Sequence, residues 1–160
     1  MYQIETPEEK DLEKLAGIMK ERFVGIAQFD KSKKSISDYL KNDDGDILVI
    51  KEDNDIIGGC LLEVEANEKE NSVWRIRHFA VTKKKRNKKV ADFFINEIDR
   101  KIREKIEAHE VGKVHIEIHV LKGDKKSIKF YQDNNYEMKK TIKHHYGKGK
   151  DCVVLVKEIG

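Results

Sequence analysis

Between Val73 and Val120 the hydrophobic period of the chain changes twice, and this constrains the fold more than any other feature. Val73-Trp74-Arg75-Ile76-Arg77-His78-Phe79-Ala80-Val81 is rich in aromatic and β-branched residues and reads as a strand. A run from Lys83 to Lys89 follows in which every residue but Asn87 is basic. Val90, Phe94, Ile98, Ile102 and Ile106 then recur every four residues, the stripe of a long amphipathic helix that Gly112 ends. From Lys113 to Val120 the alternation is strict, with Val114, Ile116, Ile118 and Val120 on one face and His115, Glu117 and His119 on the other. Strand, helix and strand in this order form a βαβ unit that parallels a nucleotide-binding arrangement, with the cationic run at its first corner. That run has three readings: a nucleic-acid or nuclear-localisation patch, a phosphate-binding loop, or a solvated surface turn.

The flanking sequence adds elements to both ends. Tyr2 to Glu5 reads as a short strand, and Thr6 is placed to cap a helix carrying Leu12, Leu15, Ile18 and Met19, with Pro7 in its first turn. Ser35 to Leu40 reads as a second short helix. Ile47 to Lys51 and Ile56 to Glu65 form a hairpin about the Asp53-Asn54-Asp55 turn, and with the Val73 strand they make three consecutive antiparallel strands. After the βαβ unit, Asp124 to Asn134 reads as a short helix and Cys152 to Val156 as a closing strand. The expected order is β-α-α-β-β-β-α-β-α-β, an α/β (α+β) fold.

The 160 residues suit one domain, residues 1–160, with a single core. Charged residues make up 39% and hydrophobic ones 38%, a heavily charged surface around an adequate core. The 33 basic and 30 acidic residues leave a formal net charge of +3, too near balance for a whole-molecule field that would gather nucleic acid. The longest stretches without Asp, Glu, Lys or Arg, Phe23 to Phe29 and Ile56 to Leu62, fall far short of the roughly 20 apolar residues that span a bilayer. No membrane segment is expected. The acidic start, MYQIETPEEK, lacks the basic and apolar regions of a signal peptide, so a cytoplasmic location is expected. Cys60 and Cys152 lie in apolar runs, form no C-x-x-C pair and are expected to be free thiols.

Two motifs on these elements resemble the Gcn5-related N-acetyltransferase (GNAT) family, and the likeness covers nearly the whole chain. In that family a central strand ends in a Leu-Ala-Val-like triplet, then four residues, then Q/R-x-x-G-x-G/A. Here Phe79-Ala80-Val81 is followed by Thr82 to Lys85 and Arg86-Asn87-Lys88-Lys89-Val90-Ala91. Lys89 stands where the first glycine would be. The second motif, N-x-x-A-x-x-F/L-Y-x-K-x-G-F, is met by Asp124, Ser127, Phe130-Tyr131 and Asn134-Asn135-Tyr136. The resemblance implies a mixed, mostly antiparallel central sheet flanked by helices. It also implies acetyl-CoA as co-substrate, direct attack by a primary amine in a ternary complex, and no metal.

It implies residue roles as well. Arg86, Asn87, Lys88, Lys89, Val90 and Ala91 would hold the pyrophosphate, while Phe79, Ala80 and Val81, with Asp124, Ser127 and Phe130, would line the thioester and pantetheine. Lys89 in place of glycine requires helical or extended angles at that point of the loop. Asn135, in place of the second motif's glycine, keeps access to the left-handed region. Tyr131 holds the position of a general acid toward the CoA sulfur, against the alternative of a tyrosine packed in the core.

For the general base the candidates are His119, which titrates in the useful range, and Glu117, two residues back on the same face. Arg75 and Arg77 share a strand face near the expected acceptor site, where they could attract a carboxylate-bearing substrate or pair across strands with Glu63 or Glu65. His144-His145-Tyr146 has no Cys or carboxylate at metal-ligand spacing and reads as loop composition. The expected acceptor is a small-molecule or protein amine, and a homodimer is left open. A rival from another class is a non-catalytic module binding acyl-CoA or nucleic acid through residues 83–89. That loop neither interleaves aromatics nor spreads its charge as nucleic-acid readers do, so it points to an anionic cofactor.

Overall fold

The computed structural model describes residues 1–22, 45–68, 71–85, 87–109 and 113–159. The expected helix at Ser35 to Leu40, the stop at Gly112 and the position of Arg86 lie outside the described residues. Seven strands carry the fold: β1 (Tyr2–Glu5), β2 (Gly45–Glu52), β3 (Asp55–Glu68), β4 (Asn71–Val81), β5 (Lys113–Leu121), β6 (Glu137–Ile142) and β7 (Cys152–Ile159). The helices are α1 (Leu12–Arg22), α2 (Lys88–His109) and α3 (Lys125–Asp133). Strand order in the sheet is β1-β2-β3-β4-β5-β7-β6. The described pairings are antiparallel for β1 with β2, β2 with β3, β5 with β7 and β6 with β7, and parallel for β4 with β5. The chain forms two compact units, residues 1–63 with 77–98 and residues 64–76 with 99–160.

In the first unit, β2 and β3 turn through Asp53 and Asn54, at φ 49° and 70°, the pair of positive angles that a two-residue hairpin of matching twist requires. Ile50 faces Gly58 and Lys51 faces Ile56, so Ile57 is the extra residue of a bulge. Its carbonyl accepts the N–H of Thr82 at 2.7 Å, which ties the end of β4 to the bulge. A Cβ at Gly58 would stand 2.6 Å from the carbonyl oxygen of Ala80 and 2.9 Å from Ile50 Cγ2, so only glycine fits there. Leu12, Leu15, Ile18 and Met19 of α1 bury with Ile47, Val49, Ile56, Leu61 and Ala80. The expected Thr6 cap is corrected: α1 is entered through a 3-10 turn, Glu9–Asp11, whose Glu8 N–H donates to Asp11 Oδ2 at 2.9 Å. That backbone bond, reinforced by Lys51 at 3.3 Å, holds the Asp11 carboxyl below its ordinary range.

In the second unit, β5 buries Val114, Ile116, Ile118 and Val120 and leaves the alternate residues half-buried or exposed. This is the strict alternation of the sequence. The parallel ladder pairs Asn71 to Ile76 with Lys113 to Ile118, confirming the βαβ unit. The expected order, with one strand after the short helix, is corrected by β6. Its burial pattern is exposed at every residue except Ile142, so Glu137 to Ile142 lacks the buried alternation by which a strand is read. Asp99, at the boundary of an otherwise apolar helix stripe, is buried and pairs with Lys157, and the Tyr136 hydroxyl meets it at 3.3 Å. Lys157 also lies 5.6 Å from the centre of the Tyr136 ring.

Candidate active site

The turn from β4 into α2 belongs to the first unit. After Val81 the chain makes a 3-10 turn, Lys83–Lys85, with the Lys85 N–H on the Thr82 carbonyl at 3.0 Å. Asn87 then caps α2. Its Oδ1 accepts the Val90 N–H at 3.0 Å, its carbonyl accepts the Ala91 N–H at 3.1 Å, and its Nδ2 donates to the Lys85 carbonyl at 3.3 Å. The amides of Val90 and Ala91 are therefore engaged inside the protein. Those of Lys88 and Lys89 have no acceptor among the described residues. Lys89 lies inside the first helical turn, so it takes helical angles that any residue adopts. The loss of the motif's glycine costs nothing in backbone strain.

The first turn of α2 contains no acidic residue, so its positive dipole end is not neutralised locally. The lysines are not equivalent. Lys85 pairs with Glu52 at 3.2 Å and Lys88 with Asp92 at 3.6 Å, while Lys84 and Lys89 are exposed and have no carboxylate partner among the described residues. Lys83 donates its N–H to Glu21 at 3.1 Å. Just upstream, Ala80 and Val81 are buried, and the half-buried Phe79 ring stacks on Phe94 with centroids 5.0 Å apart. Arg77 is held by Glu63 at 2.9 Å, the cross-strand pairing weighed above.

The second unit carries the other candidates. Asp124 caps α3, with Oδ1 accepting the Ser127 N–H at 3.2 Å and Oδ2 accepting the Ser127 hydroxyl at 2.7 Å. This accounts for a carboxylate at that motif position, since it is a favoured helix cap. Phe130 and Tyr131 meet edge-on at 5.1 Å, and Tyr131 meets Tyr136 at 5.9 Å. Tyr131 is buried in this aromatic group. The helix ends with Asn135 at φ 72°, where the N–H of Tyr136 returns to the Tyr131 carbonyl at 3.0 Å.

On β5, His119 Nε2 lies 3.7 Å from a Glu117 carboxylate oxygen. Arg75 is in register with Glu117 on the neighbouring strand. The face is not open as the alternation suggested, for the His145 ring stands edge-on to His119 at 5.6 Å and the His119 side chain is 11% exposed. Cys152, opposite Leu121 on β7, is buried beside both histidines. Burial pushes its thiol up, against a hydrogen bond from Tyr146 and the nearby positive charge of Arg75. The absence of a Cys at ligand spacing from His145 is thus a fact of sequence only; the fold removes it. Nothing in the local sequence signalled this grouping.

A family model for the acetyltransferase (GNAT) domain matches residues 43–138. The chain belongs to the GNAT acetyltransferase family. Acetyl transfer is the general chemistry of that family, and the mixed sheet flanked by helices is its fold. NAA60 of Arabidopsis thaliana, solved in complex with a bisubstrate analogue, is similar with a TM-score of 0.79 at 16% identity, over 100% of this chain and 99% of that one. A GNAT family acetyltransferase from Elizabethkingia anophelis with acetyl-CoA bound gives a TM-score of 0.69 at 20% identity, over 99% and 98% of the two chains. A ribosomal-protein-alanine N-acetyltransferase from Brucella melitensis gives 0.74 at 16% identity, over 98% and 99%. A search of curated proteins by sequence found no match. No helix among the described residues is long and apolar enough to cross a membrane.

Proposed function

We propose that this GNAT chain, acting as one domain over residues 1–160, is an N-acetyltransferase that moves the acetyl group of acetyl-CoA to a primary amine. The observation that carries the proposal is the Asn87-capped turn. It follows β4 at the family's spacing, leaves the amides of Lys88 and Lys89 with no acceptor among the described residues, and carries the exposed Lys84 and Lys89. Amides at a helix start that no described residue engages, with lysines in the same turn, suit a pyrophosphate. Acetyl-CoA supplies an activated acyl group as a thioester.

The residues divide the remaining work. Arg86, Asn87, Lys88, Lys89, Val90 and Ala91 form the turn that holds the diphosphate, with the amides of Lys88 and Lys89 as the donors. Backbone groups of Phe79, Ala80 and Val81 bind the acyl end, and the N–H of Phe79 stabilises the negative charge that develops on the thioester oxygen. Asp124 and Ser127 fix the start of α3, which presents Phe130 and Tyr131. The amine nitrogen forms the new C–N bond as the C–S bond breaks. His119 accepts the amine proton, with Glu117 holding the imidazole, and the Tyr131 hydroxyl gives a proton to the departing thiolate. Arg75 and Arg77 are the candidates for attracting an acidic acceptor, Arg77 also pairing with Glu63. The likeness to a ribosomal-protein-alanine N-acetyltransferase supports a protein amine as one acceptor class, beside small amines.

The test is an acetyl-CoA turnover assay by thiol release against a panel of peptide and small amines, with thermal stabilisation by acetyl-CoA measured in parallel. The proposal expects stabilisation and turnover with at least one amine. Absence of both at millimolar acetyl-CoA would overturn it.

A further inference from the structure

We propose that His119, His145 and Cys152 form a binding site for a divalent transition ion of the zinc class, one that supplies no chemistry to acetyl transfer. The three side chains each offer one ligand atom, and these atoms lie within 4.8 Å of one another. A tetrahedral site with bonds of about 2.0–2.3 Å holds its nitrogen and sulfur ligands roughly 3.3–3.6 Å apart. The site therefore requires a closure of about 1 Å by side-chain rotation, for which His145, exposed on its turn, has the room.

The grouping is built by the fold. His119 pairs with Val154 across the β5–β7 ladder, and Cys152, two residues before Val154, lies on the same face. The turn from β6 to β7 brings the third group. His144, at φ 57°, donates its N–H to Asp151 Oδ1 at 3.1 Å and accepts the Gly149 N–H on Nδ1 at 2.9 Å. Further bonds from Gly147 to the His144 carbonyl, from Lys150 to the Gly147 carbonyl and from Tyr146 to the Lys150 carbonyl close the turn at 2.9–3.1 Å. The His-His pair is thereby divided. His144 is consumed as an internal acceptor of the turn, and His145 is held out over His119.

The donor set selects the ion. Two imidazoles and a thiolate suit zinc and its neighbours, and disfavour magnesium and calcium, which take oxygen ligands. The Glu117 carboxylate lies 3.7 Å from His119 Nε2, longer than a hydrogen bond but on the side from which carboxylates orient metal-bound histidines. Three protein ligands leave a fourth position for water. Binding replaces the Cys152 thiol proton, which leaves to solvent, and no oxidation or reduction is involved.

Because His119 also carries the base role proposed above, an ion there would remove its lone pair from catalysis, and this consequence rests on that reading. The test is titration of the full chain with Co²⁺ and with Zn²⁺. The expected result is uptake of one equivalent of Co²⁺ with a thiolate-to-cobalt charge-transfer band, displaced by Zn²⁺. His145→Ala should weaken binding at least tenfold while keeping the circular dichroism spectrum, since that residue is exposed on the turn. Cys152→Ser should abolish the band. No saturable band in the wild-type chain, or an unchanged affinity in His145→Ala, would overturn the site. A band with acetyl transfer unaffected by the ion would uphold the site and remove His119 from the base role, so the two readings fail separately.

Discussion

The Asn87 turn and the His119 face are both rich in polar groups and are built in opposite ways. In the function proposed for this chain, the turn works through backbone. Its described lysines are exposed, Lys85 and Lys88 pair with Glu52 and Asp92, and the atoms proposed to meet the ligand are amides at the Asn87-capped start of α2. The His119 face works through side chains that come from three segments, the strands β5 and β7 and the turn before β7, and it is half-buried. A backbone site tolerates substitution of its side chains, and Lys89 in place of glycine sits at helical angles without strain. A side-chain site depends on every member.

The largest effect that follows is at Tyr131. If its hydroxyl protonates the leaving thiolate, Tyr131→Phe lowers kcat by about 100-fold or more, with the melting temperature nearly unchanged because the ring still packs on Phe130 and Tyr136. Thiol release under saturating acetyl-CoA measures it. Unchanged turnover would return Tyr131 to the role of a core aromatic and make the contrast between the two regions one of packing only. Next in size is Gly58→Ala, which drives a methyl group into the Ala80 carbonyl and Ile50. It should destabilise the fold by about 1–3 kcal/mol, read by urea unfolding, because the neighbour at 2.6 Å is backbone and cannot rotate aside.

Asn87→Ala sharpens the comparison more directly. Loss of the cap frees the Val90 amide and should cost about 1 kcal/mol of stability. It should also weaken acetyl-CoA binding, because the direction of the Lys88 and Lys89 amides depends on that cap. Asn87→Asp keeps the acceptor and restores stability, yet places a negative charge beside the diphosphate, so it should restore folding without restoring affinity. Recovery of both by Asp would show that the turn binds no anion.

These contrasts explain what could be read from sequence. The βαβ unit was legible because its period changes are long and strict, and the two motifs were legible because spacing along one chain is all they require. Asn135 at positive φ follows from residue type, and the Arg77–Glu63 pair from opposite charges on neighbouring strands. The strand β6 was not legible, since a strand exposed along nearly its whole length has no buried alternation to reveal it. The approach of Cys152 to His119 and His145 was not legible either. It depends on the register of β5 against β7, and on a turn whose shape depends on His144 acting as an acceptor. The Asp99–Lys157–Tyr136 group escaped for the same reason.

The smallest effect tests the claim about backbone itself. Lys84→Ala and Lys89→Ala each remove an exposed charge that has no carboxylate partner among the described residues, and neither alters the cap. Screening by solvent and salt limits what such a charge contributes, so each should weaken acetyl-CoA binding only about twofold to threefold at low ionic strength. The difference from wild type should vanish as salt is raised. Lys89→Gly, which restores the motif's glycine, should likewise gain nothing, because residue 89 sits at helical angles and glycine there only adds freedom to the unfolded chain. A tenfold loss in Lys89→Ala that persists at high salt would mean that the ammonium binds the diphosphate directly, and the turn would then belong with the His119 face as a side-chain site.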